Sequence, residues 1–357
     1  MDCFSFTDYI INEKNLLGNI AVIKSKISSG VKLCAVLKAN AYGVGSRVVA
    51  KLINGQVDCF AVATLGEGIE LRSAGFNKAI LVLGAVNLNQ ISMYEKYFLT
   101  PTVSTVYEMS KLSSDVKNPL RVEFGLNTGM CRIGFCEKSK IKQALGLKNQ
   151  NKKISLWGVF SHLATKECDV NFMYEQKHKF DELLTIFKDE KVVRHVSNTN
   201  AALNHKDFNY DMVRTGFGLY GMGENDCGLN PVVSIYSRVV KINKISKGDS
   251  VGYDRTFIAG KDMRVAVVPI GYYDGISRML SNVGCVVING RRAKILGRIC
   301  MDMFMVDITD IDCVNLGTKV EILGDNIMLS DYAKWSGTSE YEALTRFNNS
   351  RMNIVIK

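Results

Sequence analysis

At 357 residues, with 47% hydrophobic and 22% charged residues, the chain has the composition of a globular protein and is too long for one small core, so a large barrel or two domains are expected. It holds no run of about 18 uninterrupted apolar residues, and its start, MDCFSFTDYIINEKN, lacks the basic opening and apolar core of an export signal, so neither a transmembrane helix nor a signal peptide is expected. The formal charge of +10 is scattered, with no arginine-rich arm and no zinc-finger or RNA-binding signature, which argues against a nucleic-acid binder and for solvated basic faces that suit anionic substrates or an anionic membrane nearby.

In chain order, a helical pattern over 12–27 places Leu16, Ile20, Ile23 and Ile27 on one face. Short apolar runs then recur at 33–37, 58–63, 79–83, 99–103, 120–124, 156–160, 192–197 and 212–220, with amphipathic helical patterns at 65–74, 104–112, 137–147 and 169–188 between them. Eight strand signals alternating with helices predict a (β/α)8 barrel. A doubly wound open sheet is the alternative, but it calls for a glycine-rich phosphate loop after an early strand, and none matches. Past residue 230 the strands follow one another closely (VVSIYSRVVKI, MRVAVVPIG, GCVVING, AKILG, MFMVDI, KVEIL), separated by turns such as KGD and NGR, with helix only at 330–347. The expected organisation is therefore α/β, with a barrel over 1–230 and a mainly-β domain over 231–357, Pro231 marking the linker.

The ten cysteines show no metal-ligand spacing; Cys131 and Cys136 are too far apart for a CxxC pair, and several cysteines sit inside apolar strands (LCAV, DCFAV, GCVVI). That is the pattern of reduced, buried thiols and predicts a cytoplasmic protein without a metal. The first strand raises a sharper question. AVLKANAYGVG, at 35–45, runs an apolar strand into Lys38. An ammonium there is costly unless it is exposed at the strand end, paired, or chemically used. Lys38 either marks where the strand leaves the core or carries a cofactor as an imine.

Eight segments bear on that choice: AVLKANAYGVG, LNTGMCRIGF, GVFSHLATKE, SNTNAAL, VRTGFGLYG, VGYDRTF, VPIGYYDG and GRICMDMFMVD. In this order they resemble the alanine racemase family, over residues 9 to 347. The resemblance implies a pyridoxal 5′-phosphate (PLP) enzyme with an N-terminal barrel and a C-terminal β domain, working as a head-to-tail homodimer whose active sites draw on both chains. It places the PLP lysine at Lys38, at the barrel mouth where such sites lie. Tyr42, Asn198, Thr199, Gly216 and Phe217 fall on the cofactor-binding positions, Thr199 standing where serine is usual. Arg214 falls on the partner of the pyridine nitrogen; because an arginine stays protonated, that nitrogen should not be. His162 falls beside the ring. Racemisation needs a base on each face of a planar carbanion; Lys38 serves one, and Tyr253 of the partner chain the other, with its pKa lowered by Arg214 and His162. Arg132 and the N–H of Met301 resemble the substrate carboxylate clamp, Tyr272 the entrance tyrosine, and Asp302 a supporting residue.

The sequence departs from the family pattern in two places. Gly125 stands seven residues before Arg132, where the family often carries a lysine carbamate that orients the arginine, and Asn127 replaces the neighbouring acid. In the tail, YEALTRFNNSRMNIVIK, Asn348 or Asn349 stands near the position of a family tyrosine, which leaves room for a hydroxymethyl group. The resemblance thus implies an amino-acid racemase for alanine, serine or both, supplying D-amino acids for cell-wall precursors. It would also fit the cytoplasmic racemase domain of a membrane serine/alanine racemase of glycopeptide resistance. The alternatives are a PLP-binding barrel that does not racemise, which would lack Tyr253 and the β domain, and a PLP decarboxylase of the related barrel type.

Overall fold

The computed structural model describes residues 5–165, 167–222 and 227–357. Cys3 and Lys166, the latter in the GVFSHLATKE motif, lie outside the described residues. The chain divides into two compact units: Asn15–Ala41 with Gly45–Asn230, and the segment up to Lys14 with Tyr42–Val44 and Pro231–Lys357.

The chain begins with β1 (Asp8–Ile11) and α1 (Glu13–Lys26). The barrel strands are β2 (Lys32–Val36), β3 (Cys59–Val62), β4 (Ala79–Ala85), β5 (Leu99–Val103), β6 (Leu120–Gly125), β7 (Ile154–Phe160), β8 (Val193–His195) and β9 (Met212–Thr215). They pair in parallel in the order β8-β7-β6-β5-β4-β3-β2-β9. Asp211 N donates to Arg194 O at 3.0 Å and Arg214 N to Ser197 O at 3.0 Å, which closes the sheet on itself. This is the expected barrel rather than a doubly wound sheet. Between the strands lie α2 (Lys38–Tyr42), α3 (Ser46–Ile53), α4 (Leu65–Ser73), α5 (Ile91–Lys96), α6 (Val106–Asp115), α7 (Lys138–Gln150), α8 (Val170–Leu184) and α9 (Thr199–Asn204). The TLGE and TVYE stretches close capping boxes at α4 and α6, Thr64 with Glu67 and Thr105 with Glu108.

Register fixes what fills the barrel. Cys34 is level with Cys59 and Arg214, Thr102 with Glu123, and Glu123 with Gly158. Because side chains alternate across a strand, these residues share one face. Cys34, Val36, Cys59, Ala61, Leu81 and Met212 pack there as a buried cluster. Lys38 continues the Cys34–Val36 face just past the end of its strand.

Three readings are corrected. The 212–220 run is not one strand: β9 stops at Thr215, and Phe217–Tyr220 is a buried 3-10 turn. A short apolar run looks the same in either geometry. The 330–347 helix is two, α10 (Leu329–Ser336) and α11 (Glu340–Arg346), because Gly337 takes φ 65 and ends the first. The chain up to Lys14, expected with the barrel, belongs to the other unit: β1 pairs antiparallel with Val233–Arg238 and parallel with Asn353–Ile356. There it joins a nine-stranded sheet built otherwise from strands beyond residue 232.

Candidate active site

In the barrel unit, β2 runs into Lys38. Leu37 N still donates to Ala61 O at 2.7 Å, so the strand pairing extends to the residue before the lysine. The turn that follows is left-handed: Ala39, Asn40 and Ala41 have φ of 53, 52 and 54, and Tyr42 follows with φ 57. The Lys38 amine is half-buried, and its pKa is lowered by burial and by the charge of Arg132 while Glu67 opposes the shift. A lowered pKa supplies neutral amine, the form that acts as nucleophile or base.

Arg214 is buried, 4% exposed. Nη1 donates to His195 Nδ1 at 2.5 Å and to His195 O at 3.0 Å, and Nη2 to Ser161 O at 2.7 Å and Val196 O at 3.3 Å. Its bonds to the described residues run from Nη1 and Nη2. Burial pulls the guanidinium down to about 10, against the nearby Cys34 and Glu123, so it stays charged at neutral pH. Behind it, His195 Nε2 bonds Glu123 Oε1 at 2.9 Å, with both side chains fully buried. Since Nδ1 accepts from Arg214, the tautomer is Nε2–H, donating to Glu123. Glu123 and His195 went unnoticed in the sequence, although charged and polar residues inside the apolar strands LRVEF and VVRHVS were a usable signal.

His162 lies in the same neighbourhood. Burial, then the charges of Arg214, Arg132 and Lys38, push its pKa down to about 3, so its imidazole is neutral. Arg132 sits on the exposed loop after β6. A Cβ at Gly125 would stand 3.3 Å from Thr102 Cγ2 and 3.5 Å from Ser104 Oγ, so a side chain there would start in tight contact with Thr102. Asn127 organises the loop instead, its Oδ1 accepting from Gly129 N at 3.1 Å and Cys131 N at 2.9 Å. Asn198 caps α9 through Ala201 N at 3.1 Å. Thr199 Oγ1 accepts from Gly218 N at 3.3 Å. A Cβ on Gly218 would fall 2.4 Å from Thr199 Cγ2, so only glycine lets the Gly216–Phe217 backbone come this close to Thr199.

The remaining candidates belong to the other unit. Tyr42 is buried, and burial, then Tyr341, raise its pKa. Tyr253 is 65% exposed, on a turn where Asp254 and Arg255 take φ 55 and 53; Asp254 pairs with Arg298 at 2.9 Å. Met301 and Tyr272 are exposed, and their loops are laced together by Tyr272 N to Cys300 O at 3.0 Å and Tyr273 N to Met301 O at 3.1 Å. Arg351 clasps both loops, with Nε on Asp274 at 3.0 Å and Nη1 on Asp302 at 2.8 Å. Asn348 Oδ1 accepts from Ser350 N at 3.2 Å, and Asn349 Nδ2 donates to Gly43 O at 3.2 Å.

Family models for the alanine racemase N-terminal and C-terminal domains match residues 11–224 and 232–356. The chain belongs to the alanine racemase family. An alanine racemase of Halothermothrix orenii is 35% identical over 344 residues, 91% of this chain and 90% of that protein. The crystal structure of alanine racemase from Bacillus anthracis with bound L-Ala-P aligns with TM-score 0.93 and 30% identity over 100% of this chain and 96% of that one. That of the Bartonella henselae enzyme, with covalently bound pyridoxal phosphate, aligns with TM-score 0.89 and 25% identity over 98% and 99%. The family's cofactor is PLP, and the barrel residues fit it. Lys38 offers an amine of lowered pKa, and the buried Arg214 stays charged while its bonds to the described residues engage Nη1 and Nη2. Near Thr199 the backbone is open to close approach because residue 218 has no side chain.

Proposed function

We propose that this chain is a PLP-dependent isomerase that interconverts L- and D-alanine with two bases, Lys38 and the partner subunit's Tyr253. Bound PLP supplies an electron-withdrawing ring that acidifies the substrate's α-proton. Lys38 holds the cofactor and exchanges the proton at Cα on one face. Arg214, charged and backed by His195 and Glu123, would hold the ring-nitrogen end of the cofactor and keep that nitrogen unprotonated. His162 stays neutral beside it. Thr199 and the Gly216–Phe217 backbone would receive the phosphate end, and Arg132 would take the substrate carboxylate.

The observation that carries the reading is Lys38 at the end of a barrel strand, its charge felt by His162 and interacting with Arg132, and those two residues interacting in turn with the buried Arg214. Tyr253, Tyr272 and Met301 stand 65%, 42% and 50% exposed in the single chain, which suits groups that complete the site of a second subunit. A homodimer follows from that role, and alanine as substrate from the kinship. No helix among the described residues is long and apolar enough to cross a membrane, in keeping with a cytoplasmic enzyme. The test is subunit complementation. Homodimers of Lys38→Ala and of Tyr253→Phe should be nearly inactive, and exchanged mixtures should recover one working site per heterodimer. No recovery after verified exchange would rule out a site shared between chains.

A further inference from the structure

The left-handed turn after Lys38 needs an explanation that its own sequence does not give. Each L-residue in this conformation is disfavoured by about 5- to 30-fold in population relative to the right-handed one, and apart from glycine such residues occur singly rather than in runs. Here Ala39, Asn40, Ala41 and Tyr42 adopt it in succession, and alanine is the residue best suited to a right-handed helix. Something outside the turn must hold it.

Several bonds of the turn are local. Ala41 N donates to Leu37 O at 2.9 Å and Gly45 N to Asn40 O at 2.9 Å, and Ser46 N donates to Asn40 Oδ1 at 2.8 Å. One comes from elsewhere and carries charge: Ala39 N donates to Glu67 Oε1 at 2.6 Å. The other carboxylate oxygen accepts from Ala63 N at 2.8 Å and Thr64 N at 3.1 Å, and Glu67 N donates back to Thr64 Oγ1 at 3.3 Å. The carboxylate is thus anchored to the start of α4 on one side and grips the first amide of the strained turn on the other. Lys38 lies between that gripped amide and the last β2–β3 bond, from Leu37 N to Ala61 O.

We propose that Glu67 is a positioning residue for Lys38: its carboxylate, bound to the Ala39 amide, keeps the turn left-handed and so keeps the lysine where it can capture the cofactor. The proposal rests on the reading of Lys38 as the PLP lysine and goes beyond it by naming what maintains the lysine's backbone.

The test uses apo-protein, PLP, borohydride reduction with peptide mapping, and amide exchange over the peptide 37–46. Glu67→Ala should weaken PLP capture at Lys38 by about 10- to 100-fold, the worth of a hydrogen bond to a charged group, and should speed exchange in 37–46 without cofactor present. Glu67→Gln keeps the shape with a neutral acceptor and should show the same effects in smaller degree, which covers the case in which the alanine variant folds poorly. Ala39→Gly, added to either variant, should restore much of the capture, because glycine takes φ near 53 without penalty. A carboxylate that merely stabilised α4 would not be rescued this way. Thr64→Ala disrupts the same cap but leaves the Ala39 bond, and should stay within about twofold of wild type in capture, well short of the charged-bond effect. Capture at Lys38 within twofold of wild type in both Glu67 variants, or no rescue by Ala39→Gly, overturns the role of Glu67 alone. Labelling of a different lysine in the wild type overturns the reading of Lys38, and this proposal with it.

Discussion

The neutral state of His162 has a measurable cost in acid. In the folded apo-protein its pKa falls to about 3 from an ordinary 6.5, through burial first and the charges of Arg214, Arg132 and Lys38 after it. A histidine depressed on folding binds its proton more tightly in the unfolded chain. Its neutrality is therefore without cost above pH 6.5, and stability is lost as the pH drops from 6.5 toward 3. Linkage over that interval gives a loss of about 2 kcal/mol at pH 5 and about 3 kcal/mol at pH 4 from this one side chain. His162→Gln removes the titration and keeps a polar side chain. Urea denaturation of the apo forms at pH 7, 5 and 4 should show the variant losing less stability than wild type by those amounts. His195, also depressed by burial, is present in both proteins and cancels in the difference. Parallel stability curves within about 0.5 kcal/mol, against the expected 2, would refute the argument, as would an NMR titration of the His162 ring with a midpoint near 6.5.

Other expectations follow from single residues. Tyr253→Phe should slow proton removal from one alanine enantiomer by about 10²–10⁴-fold and from the other far less, read as solvent-deuterium incorporation from each enantiomer; equal small losses would make Tyr253 structural. Gly158→Ala would put a methyl 2.8 Å from Glu123 Oε1 and 2.9 Å from Val193 O, and should cost about 1–3 kcal/mol of stability in urea denaturation. An unchanged midpoint would mean that Glu123 is not held as described. Asn349 Nδ2 is spent on Gly43 O at 3.2 Å while its Oδ1 remains an acceptor. If that acceptor serves a substrate hydroxyl, the enzyme should racemise serine and Asn349→Tyr should lower the serine-to-alanine ratio. An unaltered ratio removes the serine argument.

The barrel was legible because its strands are short, mostly buried and rich in apolar residues: Leu99–Val103 was delimited to the residue, and Leu120–Gly125 to within one despite the Arg121 and Glu123 it carries. What failed was long-range. Asp8–Ile11 and Asn353–Ile356 pair with each other across most of the chain, and no local pattern announces a partner that distant. Within the site, the lysine, the arginines and the tyrosines could be named only through their motifs. The Glu123–His195–Arg214 series follows instead from register, since strands β6, β8 and β9 bring together residues separated by 72 and 19 positions.

The turn at Lys38 shows why the remainder was out of reach. Local propensity in ANAY points toward a right-handed helix, and the structure does the opposite at four consecutive residues. A conflict of this kind survives only where surrounding contacts over-determine the backbone. The contact that does so comes from Glu67, 28 residues away, and in sequence Glu67 reads as an ordinary capping-box acid after Thr64. Gly125 is the converse case. Its lack of a side chain reads as a missing function, yet Thr102 and Ser104 stand close beside it, and the loop bearing Arg132 is organised through Asn127. In both places the residue type was visible and its consequence was not, because the consequence depends on what another strand or helix brings within about 3 Å, hydrogen-bonding distance. Sequence reasoning is expected to break where function is built on strain, and at Lys38 the break falls on the residue whose placement the chemistry requires.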